Sequence, residues 1–261
     1  MSATTASVRV LKFGGRAQGA AALPSRLAAA AAQGSLVVVH GGGDDVSAMQ
    51  RQMGLEPQFI GGRRVTSEAD LAVVRMLLSG TINKRMVAQL LTAGARAVGV
   101  SGEDGALLTA RVTDPTFGRV GREVIAQPQL LRDLLATGWL PVVSPVARDR
   151  ESATGAGLNV NGDDAATAIA VALGASELLF VADVEGVLEN GTRISRLDAQ
   201  GIHALAARGV VQGGMLAKLE AAVAAIDAGV GAVRIGTLEA ITNPTAGTTI
   251  VPAVHALQDQ P

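Results

Sequence analysis

Short apolar runs that stop on glycine and are followed by helix-length stretches recur along the whole chain. Residues 8–13, VRVLKF, run into Gly14 and Gly15; residues 36–40, LVVVH, run into Gly41, Gly42 and Gly43. Continuous apolar runs of this length suit parallel strands buried on both faces. The stretches at 20–33, 43–53 and 67–93 (the last interrupted at Gly80) and the run DDAATAIAVAL are expected to be helices. Further strands are expected in RAVGVSG, LPVVSPV, ELLFVADV and AVRIG, with helices at 198–208 and 215–228 and a final extended GTTIV. One segment breaks the alternation. ALLTARVTDPTFGRVGREVI has two alternating runs joined through Asp114-Pro115 and Gly118, which is the pattern of an antiparallel hairpin. Repeated βα units with one antiparallel insert predict an α/β fold, a three-layer α/β/α sandwich around a mainly parallel sheet.

At 261 residues the chain buries a sizeable core, as one domain (1–261) dividing near residue 175 into two lobes. A net charge of −1 offers no basic surface for nucleic acid, and one Trp with no Tyr offers no stacking platform. There is no cysteine, and only His40, His203 and His255 are available, so neither disulfides nor a zinc site is expected. Pro24, Arg26, Asp227 and Arg234 interrupt the alanine-rich stretches before they reach a membrane span, and no secretory segment precedes the first strand. A cytoplasmic protein without a membrane partner is the expectation.

In sheets of this kind ligands lie beyond the carboxyl ends of the strands. The residues there are Lys12-Phe13-Gly14-Gly15, His40 to Asp44, GLNVNGDDAAT at 157–167, and Glu185-Gly186-Val187. Glycine-rich turns at helix starts aim backbone N–H groups and the positive end of the helix dipole at an anion, although a tight turn needs no ligand to explain it. No Gly-Lys-Ser/Thr follows the glycines, and no GxGxxG occurs, so neither a P-loop nor a dinucleotide fold is supported. Taken singly, Lys12 reads as a lysine reaching for water, Lys218 as a solvent-facing helical lysine, and Arg64 as a surface arginine. Capping accounts for one of Asp163 and Asp164, but hardly for both together with Asn159 and Asn161.

Together these residues describe a site that stabilises several negative charges. Phosphoryl transfer needs that: positioning, and electrostatic stabilisation of the attacking, equatorial and leaving oxygens. Two lysines flanking the transferred group screen its repulsion from an anionic acceptor, and an aspartate between them fixes both. Gly14 and Gly15 clear space beside Lys12.

In order along nearly the whole chain, KFGG, VVVHGGG, GGRRVT, GTINK, LNVNGDDAAT, FVADVEGVL and GGMLAKLEAA resemble the amino acid kinase family, and within it the branch acting on N-acetyl-L-glutamate. The resemblance implies that the chain phosphorylates the γ-carboxylate of N-acetylglutamate with ATP, in arginine biosynthesis. It implies Lys12 and Lys218 as transition-state stabilisers organised by Asp163. It implies acceptor binding by Gly15, Gly42, Gly43, Arg64 and Asn159 in the N-terminal lobe, with Arg64 on the α-carboxylate and the hairpin as part of a lid. The nucleotide is then expected in the C-terminal lobe, at Gly14, Asp183, Val184, Glu185, Gly186, Val187 and Leu188 and at Val210, Val211 and Gln212, with Mg²⁺ carried by ATP and no metal held by the protein. Three departures or alternatives stand beside it. Arg63 replaces an expected leucine, which leaves open whether Arg63 or Arg64 grips the carboxylate and admits a carrier-linked aminoadipyl or glutamyl acceptor. Gln212 replaces a smaller polar residue. A non-catalytic amino-acid sensor of the same fold is a third reading. Only seven residues precede the first strand, so the expectation is a homodimer without arginine regulation.

Overall fold

The structure is a computed structural model that describes residues 7–252. Strand β1 (Val8–Phe13) leads through a one-turn helix α1 (Gly15–Gln18) to α2 (Leu23–Gln33), β2 (Ser35–His40) and α3 (Gly43–Gln52). A small hairpin of β3 (Phe59–Ile60) and β4 (Arg63–Arg64) precedes α4 (Glu68–Arg75), a π-helical segment (Met76–Ile82) and α5 (Asn83–Thr92). Next come β5 (Ala97–Ser101), β6 (Leu108–Arg111), β7 (Val120–Ala126), α6 (Gln129–Ala136), β8 (Leu140–Ser144), β9 (Val146–Asp149) and β10 (Gly157–Val160). The final part holds α7 (Gly162–Leu173), β11 (Glu177–Val181), a hairpin of β12 (Leu188–Glu189) and β13 (Thr192–Arg193), and β14 (Arg196–Leu197). It ends with α8 (Ala199–Ala207), α9 (Gly213–Asp227), β15 (Val233–Gly236) and β16 (Thr248–Ile250). None of the described helices is long and apolar enough to cross a membrane.

Among the described residues eight strands form the central sheet in the order β14-β16-β15-β11-β1-β2-β8-β5, parallel except where β15 meets β16. β1 lies in the middle, with β2 on one side and β11 on the other, so the chain order reverses there and leaves a crevice at its carboxyl end. Alternation along β1 builds both faces at once. Val10 joins Ile169, Phe180 and Leu219 in the core under α7 and α9, while Leu11 and Phe13 join Leu23, Leu27 and Leu90 under α2 and α5. Lys12 falls on the α7 side, one residue short of the crevice.

Local differences from the sequence expectations have physical causes. The expected hairpin is present as β6 and β7, but it closes with β9 and β10 into a four-stranded barrel. The barrel interior leaves no room at Gly121, where a Cβ would sit 2.8 Å from both Ala110 Cβ and Val160 Cγ1. LPVVSPV divides into β8 and β9 at Pro145, which has no N–H to continue a ladder. The expected long helix at 67–93 is interrupted over Met76–Ile82, a span that contains Gly80, by π-helical winding rather than by a break. There the Asn83 N–H reaches back to Leu78 O and Gly80 O.

Candidate active site

Helix α7 opens where β10 ends, and its cap frees the carboxylate that follows. Asn161 Oδ1 accepts from the Asp163 backbone N–H at 2.7 Å, so Asn161 is the cap and Asp163 is left to work outward. Asp163 Oδ1 lies 2.7 Å from Lys12 Nζ, and Lys218 Nζ donates to Asp163 Oδ2 at 2.5 Å. The three side chains are each about a fifth exposed, so their attractions are only partly screened. Burial pushes the Asp163 carboxyl up, but the charges and hydrogen bonds of Lys12 and Lys218 outweigh it and hold the group below the ordinary aspartate value. Lys218 Nζ also stands 4.7 Å over the ring of Phe180, the residue paired with Lys12 across β1 and β11. Gly162 is part of the seat, since a Cβ there would come 3.2 Å from Lys12 Cε.

Beside this bridge lies a cleft of about 260 Å³ lined by Gly41, Gly42, Gly43, Arg64, Asn159 and Gly162 among others. Gly42 starts α3 with φ +152°, and a Cβ would lie 2.4 Å from Ile82 Cδ1 and 2.7 Å from Leu78 Cδ2. Among the described residues, no protein acceptor is found for the Gly42 N–H. At Gly14 a Cβ would meet nothing within 4 Å. Gly15 forms the first position of α1.

Arg64 is held in the cleft wall by helix α3. Its Nη2 donates to Gly43 O at 2.8 Å and to Ser47 Oγ at 2.7 Å, its Nη1 to Gln50 Oε1, and its guanidinium stacks 4.8 Å from the Phe59 ring centroid. Burial lowers the Arg64 pKa, with Asp70 opposing. Behind it, the buried Gln50 donates to Asp70 Oδ1 at 2.5 Å, and Asp70 completes a capping box with Ser67 on α4. Arg63 also lines the cleft but is exposed, so Arg64 is the pre-oriented arginine. Asn159 Nδ2 donates to Thr66 Oγ1 at 3.0 Å, tying β10 to the arginine loop.

Residues that the sequence reading passed over complete the cleft. Arg122 on β7 faces Asp164 at 3.7 Å, and burial raises the Asp164 pKa against the pull of Arg122 and Arg63. A second cavity of about 240 Å³, between the two hairpin loops, shares Arg63, Val120 and Arg122 with the cleft. Gln50 carried a sequence signal: a polar residue at four positions from Val46, on the same face of α3. Arg122 carried none beyond its place in an alternating strand.

Of the expected nucleotide segments, residues 183–188 follow the carboxyl end of β11 and residues 210–212 lie between α8 and α9. Asp183, Val184 and Glu185 are exposed in the loop, while Val187 is 1% and Val211 4% exposed, so these two side chains belong to the core. The Val187 N–H donates to Thr248 Oγ1 at 2.8 Å, and Gly186 passes so close to Thr248 that a Cβ would lie 2.5 Å from its Oγ1. Val184, Leu188 and Val210 present apolar side chains to solvent, and an Arg208–Glu189 ion pair of 2.8 Å ties the end of α8 to the β12–β13 hairpin. Gln212 turns its side chain back onto Gly209 O.

The sequence profile described as the amino acid kinase family matches residues 7–237. An acetylglutamate kinase of Roseiflexus sp. (strain RS-1) is 41% identical over 247 residues, covering 93% of this chain and 92% of its own. One from Geobacillus kaustophilus (strain HTA426) is 44% identical, covering 73% of each. Among solved structures, smu.665 from Streptococcus mutans UA159 superposes with a TM-score of 0.80 at 30% identity, over 94% of this chain and 98% of that one. Carbamate kinase of Giardia lamblia bound to AMP-PNP, at 18% identity and a TM-score of 0.69 over 95% of this chain and 99% of its own, shares the fold. With its profile match, its relatives and its sheet in agreement, the chain belongs to the amino acid kinase family.

Proposed function

We propose that this chain transfers the γ-phosphoryl group of ATP to the γ-carboxylate of N-acetyl-L-glutamate, giving N-acetyl-L-glutamyl 5-phosphate and ADP in arginine biosynthesis. The observation that carries the chemistry is the Lys12–Asp163–Lys218 bridge, beside a cleft walled by Gly42, Gly43, Arg64 and Asn159. Relatives named acetylglutamate kinase, 41–44% identical, support the acceptor.

In this reading a carboxylate oxygen of the acceptor attacks the γ-phosphorus in line. One O–P bond forms, the bond to the β–γ bridging oxygen breaks, and ADP leaves with that electron pair. The acceptor is already ionised, so no general base is needed. What must be overcome is repulsion between anions, and Lys12 and Lys218 supply the opposing charge. Asp163 holds the two ammonium groups one on each oxygen, so their positions are set before substrate arrives. Arg64 takes the α-carboxylate with the N–H groups that Gly43, Ser47 and Gln50 leave over, Asn159 the acyl amide, and the backbone N–H groups of Gly42 and Gly43 the reacting carboxylate. ATP lies over residues 183–188 and 210–212, where Val184, Leu188 and Val210 give its base an apolar floor. Mg²⁺ enters on the phosphates of ATP. Among the described residues no three His, Cys, Asp or Glu side chains group to hold a metal, and both Asp163 oxygens face ammonium groups.

The same proposal assigns acceptor binding to a lobe of about residues 1–175 and ATP to residues 176–261, and places a homodimer in the cytoplasm, where a cysteine-free chain is at home. Sedimentation tests the dimer. One observation favours a second acceptor class: Arg63 and Arg122 stand where the cleft meets the 240 Å³ cavity, which leaves room for a larger acyl group. Hydroxylamine trapping of the acyl phosphate tests both readings, with N-acetylglutamate, glutamate, N-acetylaspartate and a carrier-linked glutamyl group as acceptors. Turnover confined to N-acetylglutamate supports the proposal; turnover only with the carrier-linked group selects the second reading.

A further inference from the structure

The transfer chemistry leaves unused two fully buried polar side chains directly behind the glycine turn, His40 at the end of β2 and Asn83 at the end of the π-helical segment. Their contacts determine where the protons lie. Asn83 Nδ2 lies 2.9 Å from Val142 O and 3.2 Å from His40 Nε2. A carbonyl only accepts, so the atom facing Val142 is the amide nitrogen, and Asn83 Oδ1 is left to accept from Lys84 Nζ at 3.2 Å. Gly99 keeps the amide in place, since a Cβ there would fall 1.8 Å from Asn83 Oδ1. An amide nitrogen has no lone pair to offer, so His40 Nε2 is the acceptor and the single ring proton sits on Nδ1.

Among the described residues that proton has one partner. His40 Nδ1 lies 2.8 Å from Gly41 O, which also accepts from Gln18 Nε2 at 2.8 Å, while the Gly41 N–H donates to Phe13 O at 3.0 Å. The Gly41–Gly42 peptide is thus held by its carbonyl, and the preceding peptide by the Gly41 N–H. In a trans peptide the next N–H points opposite to the carbonyl, so the grip on Gly41 O turns the Gly42 N–H away from His40 and toward the cleft that Gly41, Gly42 and Gly43 line.

We propose that His40, fixed as its Nδ1–H tautomer by Asn83, is a positioning residue that aims the Gly42 N–H at the anionic acceptor, with Gln18 as the second clamp on the same carbonyl. The role in turnover rests on the function proposed above; the tautomer does not. Burial keeps the ring neutral, with a pKa lowered to about 4, so the clamp holds at neutral pH.

The test has two arms. Long-range ¹⁵N–¹H NMR of ligand-free protein labelled in histidine, with the His40 signals identified by their loss in His40→Asn, is expected to show a neutral ring protonated on Nδ1; a ring protonated on Nε2 overturns the proposal. In steady-state kinetics His40→Gln, whose amide reaches the Nε2 position, is expected to lose about tenfold or more in kcat with the KM for ATP within about twofold. His40→Asn, whose amide reaches the Nδ1 position, is expected to recover most of that loss. Equal losses in the two variants, or none in either, would overturn the positioning role. If wild-type protein is inert toward N-acetylglutamate, the functional reading fails, and the tautomer measurement alone decides whether the clamp exists.

Discussion

Lys218 and Asp163 are 55 positions apart in sequence, yet Lys218 Nζ lies 2.5 Å from Asp163 Oδ2 while Lys12 occupies the other oxygen. One carboxylate therefore joins the central strand β1 to helix α9 through the first turn of α7. This arrangement draws together three chain segments at the one point where the sheet reverses its order.

Replacing Asp163 with Asn keeps the shape and removes the charge that holds both lysines. The expected result is a fall in kcat of about a hundredfold or more with little change in the KM for either substrate, because the lost stabilisation belongs to the transition state. Steady-state kinetics with both substrates varied checks this.

Arg64→Lys keeps the charge but loses the planar fork that contacts Gly43, Ser47 and Gln50. The KM for N-acetylglutamate is expected to rise about ten- to a hundredfold with the KM for ATP nearly constant. Arg63→Lys, at the exposed neighbour, is expected to have a much smaller effect.

Gly42→Ala places a methyl group 2.4 Å from Ile82 Cδ1 at a backbone angle that side chains rarely adopt. A cost of about 1–3 kcal/mol is expected, lowering Tm by roughly 2–10 °C in calorimetry, with a loss of acceptor binding.

Two groups give stability a pH dependence in separate windows. His40 is neutral in the folded protein down to about pH 4 but takes a proton near 6.5 when unfolded, so the unfolded state binds more protons between those values. Its contribution is complete above that window and declines as pH falls through it, by about 3 kcal/mol in all. Asp163 is depressed, so its contribution is present above the ordinary aspartate value and is lost at still lower pH, as the folded carboxyl takes its proton. Urea unfolding between pH 7 and pH 4 is expected to show a slope that His40→Asn flattens and Asp163→Asn leaves in place.

Much of this site could be read from the chain because its residues follow strand ends. Lys12 ends an apolar run, Gly42 and Gly43 end the next, and Asp163 opens a helix after an asparagine cap, so local pattern alone put charge and glycine at the sheet's carboxyl edge. Lys218 was legible only through the family motif, since a lysine on an alanine-rich helix looks the same whether it faces solvent or Asp163. The barrel was only half visible: β6 and β7 show alternation and a turn, but their closure with β9 and β10 depends on contacts between distant segments. The His40–Asn83 contact joins residues 43 apart, and its meaning lies in hydrogen-bond directions that residue types do not reveal. Val187 and Val211 illustrate the converse, because a motif names them without telling that both side chains are buried in the core.

The most direct test of the account is single-turnover phosphoryl transfer from ATP to N-acetylglutamate in wild type, Lys12→Ala and Lys218→Ala, with binding of each substrate followed separately by calorimetry. The account predicts acyl phosphate in wild type and a rate lower by about a hundred- to a thousandfold in each variant, with N-acetylglutamate and ATP still bound. Transfer at the wild-type rate in either variant, or no acyl phosphate from wild type with both substrates bound, would contradict it.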